Sequence, residues 1–317
     1  MKAYFLIVHY NTPEATLEAV ASITRQNGFE ARILIWDNAS SSENFERLRQ
    51  GLSATPGNAE LHRSDANGGF AAGCNALFRL VRAEAADEAP VFLLNPDLVL
   101  PNPELSAQAL ESLRALERRG KVGPLGACVC HYDRPDVVQS EGGRILPWLG
   151  RIAALGRGRR FRVFSPSRRY RRVDYVVGAF MLFRAGRLSE WGPMPEGYFL
   201  YGEEADWCLG IARRGYPSLC DRNLRVLHHE GLSTGLRRRN PRTTRLLFRS
   251  HLWLFRKYYP AFRPNLILSL LARAAFYALR GRREEAAALV QLVKDDLAGR
   301  SLAVPGLPDS VGVKGYP

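Results

Sequence analysis

Apolar residues near the start of the chain fall into short unbroken runs, Tyr4 to Val8, Ile33 to Trp36 and Val91 to Leu94. Such runs, each followed by turn-forming residues, predict strands buried on both faces of a mainly parallel sheet. Between them the apolar period changes to helical. Leu17, Val20 and Ala21 follow Thr12, which is placed to cap a helix with Pro13 at its first position. Leu77, Leu80 and Val81 follow the glycine-rich stretch 67–75, and Leu105, Ala109, Leu113 and Leu116 share one face of a helix over 103–119. Gly123 to Ala127 reads as a short strand entry and Val173 to Phe183 as a strand, in which Gly178 marks a close approach to the backbone. A last strand covers Leu224 to Leu227. Two helices follow, Leu266 to Leu279 and residues 284–298, the second with Ala286, Leu289, Val290, Val293 and Leu297 inward and Gly299 as its stop; the Pro- and Gly-containing tail beyond is expected to fray. Alternating strands and helices of these lengths predict an α/β fold: a mixed, mainly parallel sheet flanked by helices, with a C-terminal helical extension.

At 317 residues the chain can bury one large core, or a core and an appendage, and 46% hydrophobic with 24% charged residues is an ordinary globular balance. Charge changes the picture. Forty-five Lys and Arg against 31 Asp and Glu give +14, nearly all of it arginine. That suits a nucleic acid, an anionic membrane surface or a phosphorylated substrate. Nine arginines and no acid fall in 151–172, the pattern of a solvated, mobile loop. From Gly231 to Arg283 there is again no acid, against 13 Lys and Arg interleaved with aromatics. The five cysteines are scattered without a Cys-x-x-Cys pair, which argues for a reducing compartment and against a zinc ribbon. No signal-peptide layout opens the sequence, and the longest apolar run, Leu266 to Leu279, is too short to span a bilayer and contains Arg273. The expectation is a cytoplasmic protein, soluble or peripheral on the inner membrane.

Candidate chemistry gathers at strand ends. Asp37 follows one buried run and Asp97 another, where open α/β sheets bind ligands. Asn95-Pro96-Asp97 also satisfies the requirements of a plain turn. In Tyr201-Gly202-Glu203-Glu204-Ala205-Asp206-Trp207, three carboxylates open a helix among aromatics. The helix dipole welcomes one or two of them there. An apolar setting around all three would also raise a carboxyl pKa toward that of a working base. His228 ends the last strand, and a lone histidine is weak evidence for a metal. The dinucleotide fingerprint Gly-x-Gly-x-x-Gly is missing after the first strand, which runs into His9-Tyr10-Asn11-Thr12.

Four of these blocks, in this order, resemble the inverting family 2 glycosyltransferases of the GT-A fold, and most closely their bacterial rhamnosyltransferase-like branch. The blocks are the first strand with His9-Tyr10-Asn11; Trp36-Asp37-Asn38-Ala39-Ser40; Asn67 to Asn75 with Asn95-Pro96-Asp97; and Tyr201 to Asp206 with His228. The resemblance covers residues 1–235, as a nucleotide-binding half (1–100) and an acceptor and catalytic half (101–235), and leaves 236–317 as the basic, aromatic extension. It implies that Asp37 accepts a hydrogen bond from a pyrimidine base held near Tyr10 and Asn11, and that Asn67 and Asn75 flank a loop beside the nucleotide and sugar. Asp97 ends the family's Asp-x-Asp metal motif, with Asn95 in place of the first acid, and His228 completes a site for Mg²⁺ or Mn²⁺. The family usually has Glu-Asp-x-Asp where this chain has Glu203-Glu204-Ala205-Asp206, so the base falls on Glu204, one methylene longer; an arginine common four residues on is Gly210 here.

These roles supply an inverting displacement. A divalent ion would neutralise the leaving nucleotide diphosphate, and a carboxylate in a partly dry setting would deprotonate the acceptor hydroxyl. The resemblance points to dTDP-L-rhamnose as donor, with a UDP-sugar as the alternative, and to a bacterial surface glycan or polyprenyl-diphosphate lipid as acceptor. A basic nucleic-acid-binding protein is the rival class, and it leaves Asp97, Glu203, Glu204 and Asp206 without a task. A member that only binds is a third. The enzyme reading assigns the acid-free segment to an anionic membrane, through Arg237, Arg238, Arg239, Arg249 and Arg256 with Trp253, Phe255, Tyr258 and Tyr259 at headgroup level. The alternative is a helical brace on the catalytic domain.

Overall fold

The computed structural model describes residues 1–55, 57–229, 240–300 and 302. Strands β1 (Lys2–His9), β2 (Glu30–Asp37), β3 (Asn58–Arg63) and β4 (Pro90–Leu94) form a parallel block in the order β3-β2-β1-β4. Helices α1 (Pro13–Thr24), α2 (Ser42–Ala54) and α3 (Phe70–Glu84) connect them. The chain continues through β5 (Leu98–Val99), α4 (Leu105–Glu117), β6 (Leu125–His131), β7 (Val138–Ser140) and the hairpin β8 (Gly143–Leu146) with β9 (Arg151–Ala154). After it come α5 (Pro166–Arg169), β10 (Tyr170–Arg172), β11 (Phe180–Arg184), α6 (Arg187–Trp191), α7 (Glu203–Arg213) and β12 (Leu219–His228). β11 enters antiparallel between β4 and β6, and β12 lies parallel to β6, so one mixed sheet of ten strands runs through the domain.

The unbroken apolar runs are explained by burial on both faces. Phe5, Ile7, Ile33, Ile35, Phe92 and Leu94 point to one side, against α1 and α4. Tyr4, Leu6, Val8, Leu34, Val91 and Leu93 point to the other, against α3 and Trp207 of α7. Side chains alternate across a strand, so a strand covered on both faces is apolar at every position. Phe5 and Phe92 stack across β1 and β4 at 4.7 Å between ring centres.

Three local expectations are corrected. Thr12 stands at the cap position of α1, but its side chain makes no capping hydrogen bond. Residues 151–172 are not simply a loop: β9 pairs with β8 and β10 with β12, and Arg222 lies over the Phe164 ring at 3.2 Å. Strand character over 173–183 is confined to β11, because the backbone before it bonds to two different neighbours, Val173 N–H to the Ser218 carbonyl and Asp174 N–H to the Gly143 carbonyl.

The extension consists of α8 (Pro241–Tyr258), α9 (Arg263–Leu279) and α10 (Arg283–Leu297). Its apolar residues share one core with Ile145, Tyr198, Ala205 and Leu209 of the preceding chain. This corrects the membrane assignment of α8. Phe255 and Tyr258 are buried, and Arg249 is 5% exposed with its guanidinium donating to the Tyr198 carbonyl. Arg256 pairs with Asp296 of α10, and Trp253 packs on Tyr198 and under Arg249. Internal partners for these arginines and aromatics make α8 a brace on the preceding chain. Arg237, Arg238 and Arg239 lie outside the described residues. Among the described residues no helix is long and apolar enough to cross a membrane.

Candidate active site

β1, β2 and β4 end on one side of the sheet, and the expected residues follow from them in two groups. The first surrounds Asp37, the last residue of β2, which is fully buried. Its Oδ2 accepts from the Ser40 N–H at 3.2 Å and lies 3.4 Å from Arg63 Nε, while Oδ1 has no hydrogen-bond partner and sits 3.7 Å from His9 Nε2. His9 donates to or accepts from Thr16 through Nδ1, and burial pulls its pKa down to about 4, so the ring is neutral. Tyr10 is exposed; the Asn11 side chain accepts from Ser41 N–H and Asn44 Nδ2. Asn67 accepts from the Gly69 N–H. Asn75 lies apart from this group, on α3, where its amide is fully engaged with the Met194 backbone and Glu196.

The second group lines one cavity of about 340 Å³ that holds Asn95, Asp97, Glu203, Glu204 and His228 together. Asp97 lies three residues beyond β4 and His228 ends β12. The pair is held by Gln139, whose Nε2 donates to the His228 carbonyl at 3.1 Å and whose Oε1 therefore faces His228 Nδ1 at 3.0 Å. This assigns the ring proton to Nδ1. Nε2 then presents its lone pair 3.1 Å from Asp97 Oδ1, with Asn95 Nδ2 at 3.2 Å. Two electron-rich atoms at that distance repel unless a cation or a second ring proton intervenes. Among the described residues no three His, Cys, Asp or Glu side chains converge as a complete metal site. The carboxylate suits Mg²⁺ or Mn²⁺ when substrate phosphates supply further oxygens, which is how Mg²⁺ is commonly held, and the imidazole is the less typical ligand for either ion.

The carboxylates of α7 sit behind a strained entry. Phe199 and Tyr201 have φ of 64° and 67°, and Gly202 has 99°. Left-handed non-glycine residues cost energy and cluster at functional sites. Gly69 meets this turn so closely that a Cβ there would lie 2.3 Å from the Phe199 carbonyl oxygen, and Phe70 N–H donates to that same oxygen. Gly178 admits the Phe70 ring at the cavity wall, as its place in the sequence predicts.

Glu203 is 2% exposed, its Oε2 lacks a partner, and burial with the neighbouring Glu204 raises its pKa well above the carboxyl range. Glu204 is half-buried, accepts from the Gly202 N–H at 3.2 Å, and has its pKa raised by burial. Asp206 is corrected as a member of this group. Two residues along a helix turn it about 200° away, and its carboxylate is spent on Tyr198 Oη, Tyr258 Oη and Lys257 Nζ at 2.7, 2.6 and 2.7 Å. It anchors α8 to the domain. Gln139, Arg157 and Tyr175 line the cavity and were missed by sequence reasoning. Only Arg157 left a signal, as a cation between Gly156 and Gly158 in the acid-free run.

An α/β sheet with this strand-end cavity has the GT-A architecture of glycosyltransferases. The mannosyltransferase PcManGT from Pyrobaculum calidifontis, solved with GDP-Man and Mn²⁺, aligns with TM-score 0.57 at 16% identity over 94% of this chain and 88% of that one. GalNAc-T7, solved with UDP, GalNAc and Mn²⁺, aligns with TM-score 0.62 at 14% identity over 95% of this chain and 58% of that one. Residues 4–139 match the Glycosyl transferase family 2 model. The N-acetylglucosaminyl-diphospho-decaprenol L-rhamnosyltransferase of Mycobacterium tuberculosis is 23% identical over 238 residues, covering 68% of this chain and 72% of its own. Residues 4–139 of the chain thus form a family 2 glycosyltransferase domain.

Proposed function

We propose that this protein is an inverting, metal-dependent transferase that moves L-rhamnose from dTDP-L-rhamnose to a hydroxyl of a lipid-linked bacterial glycan. One observation carries the reading: Glu204 and the Asp97–His228 pair face a single cavity. Asp97 and His228 would hold Mg²⁺ or Mn²⁺, which when bound neutralises charge on a leaving diphosphate. Glu204 takes the proton of the attacking hydroxyl, since its raised pKa brings its basicity nearer to neutral pH while leaving it partly open to the cavity. Glu203, more deeply buried and with its pKa also raised by burial, lines the cavity beside it. Asp37, which ends β2 with Oδ1 unpartnered, would accept from the ring N–H of a pyrimidine. Uracil and thymine share that N–H, so a UDP-sugar is the second reading. The rhamnosyl donor and the lipid-diphosphate acceptor take their support from the Mycobacterium tuberculosis relative.

The test incubates purified protein with dTDP-L-rhamnose, UDP-N-acetylglucosamine and GDP-mannose in turn, with a synthetic N-acetylglucosaminyl-diphospho-prenol acceptor. Transfer from dTDP-L-rhamnose alone, stopped by chelation and restored by Mg²⁺ or Mn²⁺, is the expected result. Transfer from GDP-mannose, or chelator-resistant transfer, overturns the donor or the metal assignment respectively.

A further inference from the structure

A second hollow, of about 730 Å³, opens beside the active cavity, on the other side of the 154–157 turn: Ala154 and Arg157 line the cavity, Leu155 and Gly156 the hollow. Its polar wall carries Arg144, Arg159 and Arg171, the last paired with the buried Glu141 at 2.6 Å, and one lining acid, Asp174. That acid is already engaged, accepting from the Ile145 N–H at 2.6 Å and lying 3.8 Å from Arg144 Nε. Arg144 and Arg159 are exposed. Trp148 and Tyr259 supply its aromatic wall, and Trp148 and the adjacent Leu149 are 61% and 51% exposed.

The aromatic edge runs directly into α9. Asn265 donates to the Trp148 carbonyl at 2.8 Å. From that contact Leu268, Leu271, Ala272, Ala275, Phe276 and Leu279 continue along α9 at helical spacing, all apolar and all exposed. Leu268, Phe276 and Leu279 are exposed by 67%, 53% and 87%. Meanwhile Leu266, Leu270, Ala274 and Tyr277 bury the opposite face. An apolar stripe of this length left open by the described residues is unusual on a monomer and marks a binding surface. Here it begins at a hollow whose charge suits a compact anion.

We propose that this hollow binds the diphosphate of the lipid-linked acceptor and that the exposed face of α9 carries its hydrocarbon chain. The inference deepens the reading given above and rests on it. An amphiphile held this way has its diphosphate on Arg144 and Arg159, its sugar across the turn toward Glu204, and its tail along Trp148 and Leu268.

Farnesyl diphosphate is a soluble probe of this arrangement, with inorganic pyrophosphate and farnesol as controls, each titrated calorimetrically into the full chain. Farnesyl diphosphate should bind more tightly than either control. The double variant Arg144→Ala/Arg159→Ala should weaken it by about tenfold or more, the scale of two lost charge-assisted donors, while thymidine diphosphate binding is unchanged. Leu268→Ser/Phe276→Ser should reduce the advantage of farnesyl diphosphate over pyrophosphate. Equal binding by wild type and the double variant, or displacement of farnesyl diphosphate by thymidine diphosphate, overturns the proposal. Donor hydrolysis keeps the two claims separate. Metal-dependent hydrolysis of dTDP-L-rhamnose without farnesyl diphosphate binding removes the acceptor site and leaves the enzyme; binding lost in the variants without any nucleotide-sugar turnover does the reverse.

Discussion

Replacing Glu204 by Gln isolates the proposed base. Gln keeps the length of the side chain and an oxygen able to accept from the Gly202 N–H, 3.2 Å away, so α7 should start as before. What is lost is the ability to hold a proton. A positioned general base is worth about 10²–10⁴ in rate, or about 3–5 kcal/mol of transition-state stabilisation. The turnover number should fall by that factor while donor KM stays within about twofold, because the missing interaction belongs to the transition state. The pH profile is the sharper readout. Burial raises the Glu204 pKa above its ordinary 4.5, so wild-type activity is lost as pH falls through that raised value, and the acidic limb should sit above the usual carboxyl range. The Glu204→Gln variant should have no such limb. Initial rates at saturating donor between about pH 5 and about pH 9, with thymidine diphosphate affinity by calorimetry, provide both numbers. A variant retaining more than about a tenth of the wild-type rate, or a larger loss from Glu203→Gln, refutes Glu204 as the base.

Asp97→Ala should abolish Mn²⁺ binding in the presence of thymidine diphosphate, and His228→Ala should weaken it; calorimetry showing wild-type metal affinity in Asp97→Ala would remove the metal site from this cavity. Glu203 has a folded pKa raised above its unfolded value, so its contribution to stability is full below about pH 4.5 and lost as pH rises toward the folded value, at about 1.4 kcal/mol per pH unit. Glu203→Gln escapes this loss, and its melting temperature relative to wild type should rise between about pH 4 and about pH 7; a constant difference contradicts the burial argument. Asp206→Ala should cost about 2–4 kcal/mol, since it removes a charged acceptor from the buried Tyr198 and Tyr258 hydroxyls and the counter-charge of the partly exposed Lys257 at the joint between α7 and α8. Denaturant unfolding within about 0.5 kcal/mol of wild type would show that α8 is not braced there.

Much of the fold was legible because strand and helix periods are local. The runs at Tyr4, Ile33 and Val91 became β1, β2 and β4, and Asp37 and Asp97 fell at or just beyond their ends. Sequence order of the four blocks was also enough to indicate the family. Local patterning could not show which residues at those ends meet. Asp97 and His228 are 131 positions apart and come within 3.1 Å only because β5 pairs with β12. Helix geometry turned Asp206 away from Glu204, but its partners on α8 were invisible until α8 was placed. The acid-free segment shows the same division. Its composition fixed a basic, aromatic helical region, and composition is blind to direction. Packing sent Arg249, Phe255 and Tyr258 inward to support the catalytic domain and left the apolar face of α9 uncovered, because a helix has two faces and only its neighbours decide which one meets water.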